Sequence, residues 1–506
     1  MAAGRGAVTT VSGTAAPGRL SLTSLPRLPI GPALRGPAVD PRRVTPGIVH
    51  LGIGAFHRAH QAVYTEDAAA ATGSDEWGIV GVTQRSVAVR DQLVPQDGLY
   101  TVVERGTNGA ARRVIGSVRE VLHAAQDGAA VLEWISSPKV RLVSLTVTEK
   151  GYRRRSDGRL DLDDPLVAAD LAGRPPLTPI GQLVRGMQRR LARHAEPLTV
   201  LCCDNLTSNG QVVAGLVGDF IAALPARESG DLSTWVDAAV RFPGCMVDRI
   251  VPATTDADLA EVAAVLGVED RGAVVAEPFS QWVIEDRFAA DRPAWERAGA
   301  VLTDDVEPWE TAKLRLLNGT HSLLAYLGAL HGHRTIAETL SDDAIGETAE
   351  SFMRQDVLPT LAGHSGMDLD AYCGAVLDRF RNEALRHRTV QVAMDGSQKL
   401  PLRLLGTVRD RLAAGVVPPL ATRAVAAWMV YVARSREPGS SLVLDDPLAD
   451  RLGEIASRST SAAVLVDGLL AVGETFGDDL PYHAGFRDLL VQEVEELCAA
   501  CGGSSG

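Results

Sequence analysis

The sequence is poor in lysine, in cysteine and in long apolar runs. Lysine occurs only at Lys139, Lys150, Lys313 and Lys399; the other 46 of its 50 basic residues are arginine. A guanidinium keeps its proton, whereas a desolvated ammonium can release one, so the four lysines are the first positions to inspect for proton chemistry. Six cysteines in 506 residues cannot form a disulfide scaffold and point to a reducing, cytoplasmic setting. No run of 18 or more apolar residues occurs, which excludes a membrane-spanning helix. Basic charge is also scarce. The formal net charge is −13 and no Lys/Arg stripe is present, so neither nucleic acid nor an anionic membrane surface is an expected partner. Zinc-type clusters are missing too: Cys202, Cys203 and Cys245 lack a ligand spacing with nearby His, and no metal is expected. Gly 49 and Pro 27 make up about 15% of the chain, too little for a collagen-like or low-complexity protein.

What is present is an ordinary globular composition, 46% hydrophobic and 22% charged. From residue 47 to about 300, short β-branched runs alternate with helical stretches. The strands read are 47–54, 77–82, 140–147, 198–205 and 272–279, and the helices include 61–72, 178–193 and 209–224. That alternation predicts an α/β, doubly wound parallel sheet. Beyond about 308 strand signals nearly vanish and helical patterns follow one another. The expected organisation is a flexible extension over 1–46, a nucleotide-binding-type α/β domain over 47–303, a mostly α-helical domain over 304–497, and a flexible tail over 498–506. Cys498 and Cys501 form a C-x-x-C in that tail with no second pair, a weak metal or redox signal.

Three segments carry chemistry. IVHLGIGAFHRAHQ is a strand running into Gly52-Ile53-Gly54 and a helix start. Glycines there permit a tight turn and close approach of a pyrophosphate, although His57 stands where a third glycine would fall. Arg58 is read as facing phosphate, His57 and His60 as capping or packing. No carboxylate follows the second strand, where Arg85 stands instead, which leaves NAD and NADP both open. LCCDNLTSNG puts Asp204 and Asn205 at the carboxyl end of a strand, the ligand-binding edge of open α/β sheets; Asn209 there is read as a helix cap. TAKLRLLNGTHSLLAYLG is a helix bearing Lys313, Asn318 and His321. On a regular α-helix these span about 140° of arc, with His321 in the middle. A neutral Lys can take a hydroxyl proton, an Asn amide can stabilise an alkoxide, and a His can orient a neighbouring hydroxyl.

Taken together, IVHLGIGAFHRAHQAVY, CDNLTSNG, FPGCMVDRIVPATT, EPFSQWVIEDRF, KLRLLNGTHSLLAYLG and MDGSQKLP resemble, in order, the mannitol dehydrogenase family of polyol-specific long-chain dehydrogenases, over residues 47–403. The family's Lys-x4-Asn-x2-His signature stands as Lys313, Asn318 and His321. The resemblance implies a metal-independent, NAD-dependent oxidation of a secondary alcohol on a polyol or aldonate, with NADP left open. It implies Lys313 as general acid/base, Asn205 and Asn318 as the oxyanion site, and His321 and Asp248 positioning substrate or Lys313. The backbone from Ile53 through Ala55, Phe56, His57 and Arg58, after Gly52 and around Gly54, would hold the pyrophosphate. The implied fold is a Rossmann-type domain followed by a helical domain like that of 6-phosphogluconate dehydrogenase, with the site between them. The partner is a small-molecule polyol or hexuronate; the oligomeric state is not legible.

Mannitol-oxidising members carry Arg four residues before the Asp-Gly-Ser turn, where this chain has Gln391. RHRTVQVAMDGSQKLPLRLLG looks closer to fructuronate reductases. The expected reaction is therefore D-mannonate + NAD = D-fructuronate + NADH, the alternative being D-mannitol to D-fructose. A uronate carboxylate needs a cation, and Lys399, Arg388 and Arg403 are the candidates.

Overall fold

The computed structural model describes residues 18–107, 109–361, 367–385 and 387–502. The chain divides into two compact units, residues 1–105 with 110–304, and 106–109 with 305–506.

The first unit is built on a six-stranded sheet. Numbering its strands alone, they are β1 (Pro46–Leu51), β2 (Gly78–Thr83), β3 (Val118–His123), β4 (Leu142–Leu145), β5 (Leu198–Cys202) and β6 (Val240–Arg241). Their order is β3-β2-β1-β4-β5-β6, and every pairing is parallel. This is the order of a doubly wound dinucleotide fold, in which the direction of winding reverses between β1 and β4. Both faces are covered, so the strands read as apolar runs. Val49, Leu51, Val80, Val82, Val143 and Leu145 pack into one core. Ile48, Ile79, Leu142 and Leu201 pack into another. One row on the second face breaks the pattern: His50 pairs in register with Gly81 and Ser144.

Several strands depart from the sequence expectation. The run read at 272–279 forms Val274–Ala276 in a separate three-stranded sheet beside Tyr100–Gly106, outside the main sheet. The third strand, Val118–His123, and the two-residue β6 carry too little alternation to be read locally. A further sheet joins Cys245–Asp248, Gln281–Glu285 and Val301–Thr303.

The expected N-terminal extension also differs. Residues 1–17 lie outside the described residues, but 18–45 are packed. Leu20, Leu28 and Leu34 are buried against Leu99, Val103, Val114, Val262 and Leu266. Each such leucine contributes roughly 1.5–3 kcal/mol on burial, and this holds an irregular strap that has neither strand nor helix period. At the other end, the expected tail is instead helix through Gly502, with Cys498 exposed; residues 503–506 lie outside the described residues.

Residues 305–502, among those described, form helices and turns, with one isolated bridge from Thr335 to Arg388. Pro419–Arg434 is the central helix, buried along most of its length, and packs against Thr320–Leu330 and Ala484–Gly502. Trp428, Tyr326, Tyr431, Phe352, Phe476 and Phe486 fill its core.

Candidate active site

In the α/β unit, β1 leaves the sheet through Gly52-Ile53-Gly54 into the short helix Ala55–Ala59, and a second helix, Gln61–Thr72, follows after His60. Gly52 has φ +104°, and a Cβ there would run into the Thr146 carbonyl. Glycine is therefore required at this point. Gly54 caps the helix and is exposed, and the nearest atom to the Cβ it lacks would be 3.8 Å away. The backbone at the switch point is thus open to close approach by a ligand, the cradle a dinucleotide pyrophosphate fits.

Beneath the turn is a histidine stack. His50 bonds Ser144 Oγ at 2.8 Å through Nδ1, and Nε2 reaches Thr146 Oγ1 at 2.8 Å and the Gly52 carbonyl at 3.2 Å. The His57 ring lies on the His50 ring, centroids 3.4 Å apart. Burial pushes His50 down to about 3 and His57 well below the usual range, the second helped by its neighbour. Both stay neutral, which two stacked rings in a dry core require. His57 is thus packed on His50 beneath the turn, its ring buried.

Arg58 does not face phosphate as expected. Its guanidinium is buried and donates to the carbonyls of Gly54 and Gly272, while Tyr100 Oη donates to its own carbonyl at 2.8 Å. The buried carbonyls need a donor, and the arginine turns inward to supply it. At the end of β2, Gln84 and Gln182 exchange amide hydrogen bonds of 3.1 and 3.0 Å, and Arg85 is exposed.

Asn205 follows β5 and is exposed, and Asp248 is buried at the end of its strand. Asn209, read as a helix cap, is instead a cross-brace. Its Nδ2 donates to the carbonyls of Asp204 (3.1 Å) and Cys245 (2.7 Å), and its Oδ1 accepts from Cys245 N at 3.1 Å. It fixes the segment of Asn205 beside the strand that ends in Asp248. Arg249 points away from solvent, pairing with Glu104 at 2.6 Å and with the Glu277 carbonyl.

In the helical unit the lysine helix is not a regular α-helix. Glu307–Ala312 and Thr320–Leu330 are α-helical, but Lys313–Gly319 between them is a π turn. Each residue there sweeps less than 100°, so the arc expected for Lys313, Asn318 and His321 on a regular wheel does not apply; such turns recur at functional sites. Two further π turns, Phe352–Val357 and Pro401–Leu405, meet it at Gly319. A Cβ on Gly319 would lie 2.8 Å from the Arg403 carbonyl oxygen and 3.3 Å from the Phe352 ring.

Lys313, Asn318 and His321 are all buried. Asn318 Nδ2 and His321 Nε2 have no hydrogen-bond partner among the described residues. Buried polar atoms are nearly always paired, so these two keep unused hydrogen-bonding capacity, as do Thr320 Oγ1 between them on the chain and, in the α/β unit, both ring nitrogens of His57. The His321 ring packs on Phe380 and His387, each centroid 4.8 Å away. Burial drives His321 well below its usual range, and His387, Arg403, Arg379 and Lys399 add to the effect. Arg403 donates to Ser322 Oγ at 3.1 Å, beside His321. Lys399 donates to the carbonyls of Val392 and Met394. Arg388 is not brought to this cluster; it is exposed at the cap of Thr389–Ala393, with its backbone paired to Thr335. Arg379 and His387, both facing His321, were not picked out in the sequence: Arg379 sits in the amphipathic helix Leu369–Phe380, and His387 in the segment quoted above only for its resemblance, and no local pattern says that either turns toward His321.

A parallel-sheet dinucleotide-type unit joined to a helical unit with a buried Lys-Asn-His set defines a class of oxidoreductase. Residues 46–297 match the mannitol dehydrogenase Rossmann domain and 305–498 the mannitol dehydrogenase C-terminal domain. The chain belongs to the mannitol dehydrogenase family. It is 43% identical over 468 residues to the uncharacterized oxidoreductase YeiQ of Escherichia coli K12, covering 92% of this chain and 94% of that one. It is 42% identical over 470 residues to the D-mannonate oxidoreductase of the same organism, covering 91% and 95%. Among solved structures, the Pseudomonas fluorescens mannitol 2-dehydrogenase in ternary complex with NAD and D-mannitol matches with a TM-score of 0.83 at 37% identity, covering 96% of this chain and 97% of that one. No described helix is long and apolar enough to cross a membrane.

Proposed function

We propose that this oxidoreductase interconverts an aldonate or polyol with its keto form, D-mannonate and D-fructuronate being the leading pair. The observation that carries the reading is the unpaired, buried Asn318 Nδ2 and His321 Nε2 on the helix that begins its π turn at Lys313. Oxidation removes a hydride from the carbinol carbon and a proton from its hydroxyl. NAD, when bound, supplies the hydride acceptor, and the open backbone around Gly54 fits its pyrophosphate. Lys313, as the neutral amine, takes the hydroxyl proton and returns it in the reverse direction. Asn318 Nδ2 donates to the oxygen as negative charge develops there. His321, held neutral, bonds an adjacent hydroxyl. From the α/β unit, Asn205 and Asp248 are assigned to the oxyanion and to positioning on the family resemblance alone. No step requires a metal.

The choice of an aldonate rests on the resemblance of residues 386–406 to fructuronate reductases and on Gln391 in place of Arg, with Arg403, whose guanidinium donates to Ser322 Oγ beside His321, as the cation for a carboxylate. The likeness to the mannitol-bound structure favours D-mannitol and D-fructose as the second reading. The test is NADH oxidation at 340 nm by the purified chain, with D-fructuronate and D-fructose in parallel and NADPH as a control. A large preference for fructuronate is expected; a preference for fructose moves the assignment to mannitol. Turnover of neither refutes both.

A further inference from the structure

The switch point has a second wall that the proposed chemistry leaves unused. β4 leaves the sheet through Thr146, Val147 and Thr148, beside the Gly52 turn. Thr146 Oγ1 donates to the Gly52 carbonyl at 2.8 Å, and the Cβ that Gly52 lacks would lie 3.2 Å from Val147 Cγ1. One residue further, Thr148 has φ +68° and ψ +158°. This conformation is costly for any residue with a Cβ, and more so for a β-branched one. Thr148 is exposed, so packing of its side chain does not hold it there.

The grip comes from Asp204, at the exit of β5. Its carboxylate accepts from Val147 N at 2.9 Å, Thr148 N at 2.8 Å and Tyr152 Oη at 2.6 Å. Tyr152 is itself fully buried, with its hydroxyl 3.1 Å from Cys202 Sγ. Asp204 is buried too, and both its oxygens are engaged inside the protein. It is therefore a clamp on the backbone rather than a ligand group.

We propose that Asp204 is a dinucleotide-positioning residue: it holds Thr148 in its left-handed conformation, so that the exit of β4 forms the crevice wall facing the Gly52 turn. The proposal rests on the dinucleotide reading given above. Strain persists only where the surroundings over-determine it, and here Thr148 is held on its N–H side by a buried carboxylate at a ligand-binding edge and on its carbonyl side by Gly151 N at 2.9 Å. Released from the clamp, Thr148 would return to negative φ and redirect the chain after Val147.

Equilibrium NADH binding by the purified full chain tests this, with circular dichroism and thermal melting to follow the fold. Asp204→Asn keeps the shape but turns one acceptor into a donor facing an N–H. It is expected to raise the Kd for NADH about tenfold, the loss of one charge-assisted hydrogen bond. Thr148→Gly alone should bind within about twofold of the parent, because glycine adopts positive φ without strain. The double variant should regain most of the lost affinity, a rescue that a general loss of stability would not show. If Asp204→Asn fails to fold, Tyr152→Phe, which removes one bond from the same carboxylate, should raise Kd about threefold. An unchanged Kd in folded Asp204→Asn, or in Tyr152→Phe where that variant stands in, overturns the proposal, as does a double variant no better than Asp204→Asn. Absence of NADH binding by the unsubstituted chain would instead overturn the dinucleotide reading itself.

Discussion

His50 sits in the middle of a buried parallel strand, and acidification is the perturbation that measures what its neutrality contributes. Unfolded, a histidine takes its proton near pH 6.5; in the native protein burial lowers His50 to about 3, against partial support from the Gly52 carbonyl. The folded value is the depressed one. Between the two, the unfolded chain binds more protons, so stability is complete above about 6.5 and falls as pH falls. From pH 7 to pH 5 the loss through His50 works out at about 2 kcal/mol. His57 adds to it in the same direction, since burial and the adjacent His50 lower it too. Five of the seven tryptophans, Trp77, Trp134, Trp235, Trp282 and Trp295, lie in this unit, so tryptophan fluorescence follows its unfolding. Urea unfolding at pH 7 and pH 5 should show His50→Asn losing about 2 kcal/mol less than the parent across that interval. Equal losses in the two proteins would refute the reasoning.

Other expectations concern the helical unit. Lys313→Ala should lower kcat about 10²- to 10⁴-fold while leaving the NADH Kd within about twofold, measured by steady-state rates and fluorescence titration. Asn318→Leu should lower kcat by about 10²-fold or more yet raise stability by about 1 kcal/mol, because a buried unpaired donor is removed; kcat and the thermal midpoint check both halves. Arg403→Met should cut kcat/KM for fructuronate about 10- to 100-fold and spare fructose, and equal losses on both would remove Arg403 from carboxylate binding.

Much was legible in the chain because it is local. The strand, tight turn and helix at 47–58 show in adjacent residues, and Gly52 indeed has the positive φ that such a turn requires. The helix Gln61–Thr72 has the bounds its composition suggests. The shift from alternating strands to helices near residue 300 reflects periodicity, which needs no long-range partner to be seen. The order of short motifs was enough to indicate the family.

Other features depend on partners far along the chain. Nothing near Arg58 says that its guanidinium turns in to a carbonyl 214 residues away. Arg403 meets Ser322 across 81 residues, and Asp204 reaches Thr148 across 56. The π turn at Lys313 follows from packing against two other segments at Gly319, which helical propensity does not register. The packed strap at 18–45 has no period to read, and its leucines gain their place only from the surface they cover. The sequence by itself determined the elements, their order and the residue types available for chemistry. Tertiary structure decided which polar atoms are buried, which are left unpaired, and which backbone is held under strain. Those properties belong to the surroundings of a residue, and the surroundings are assembled by folding.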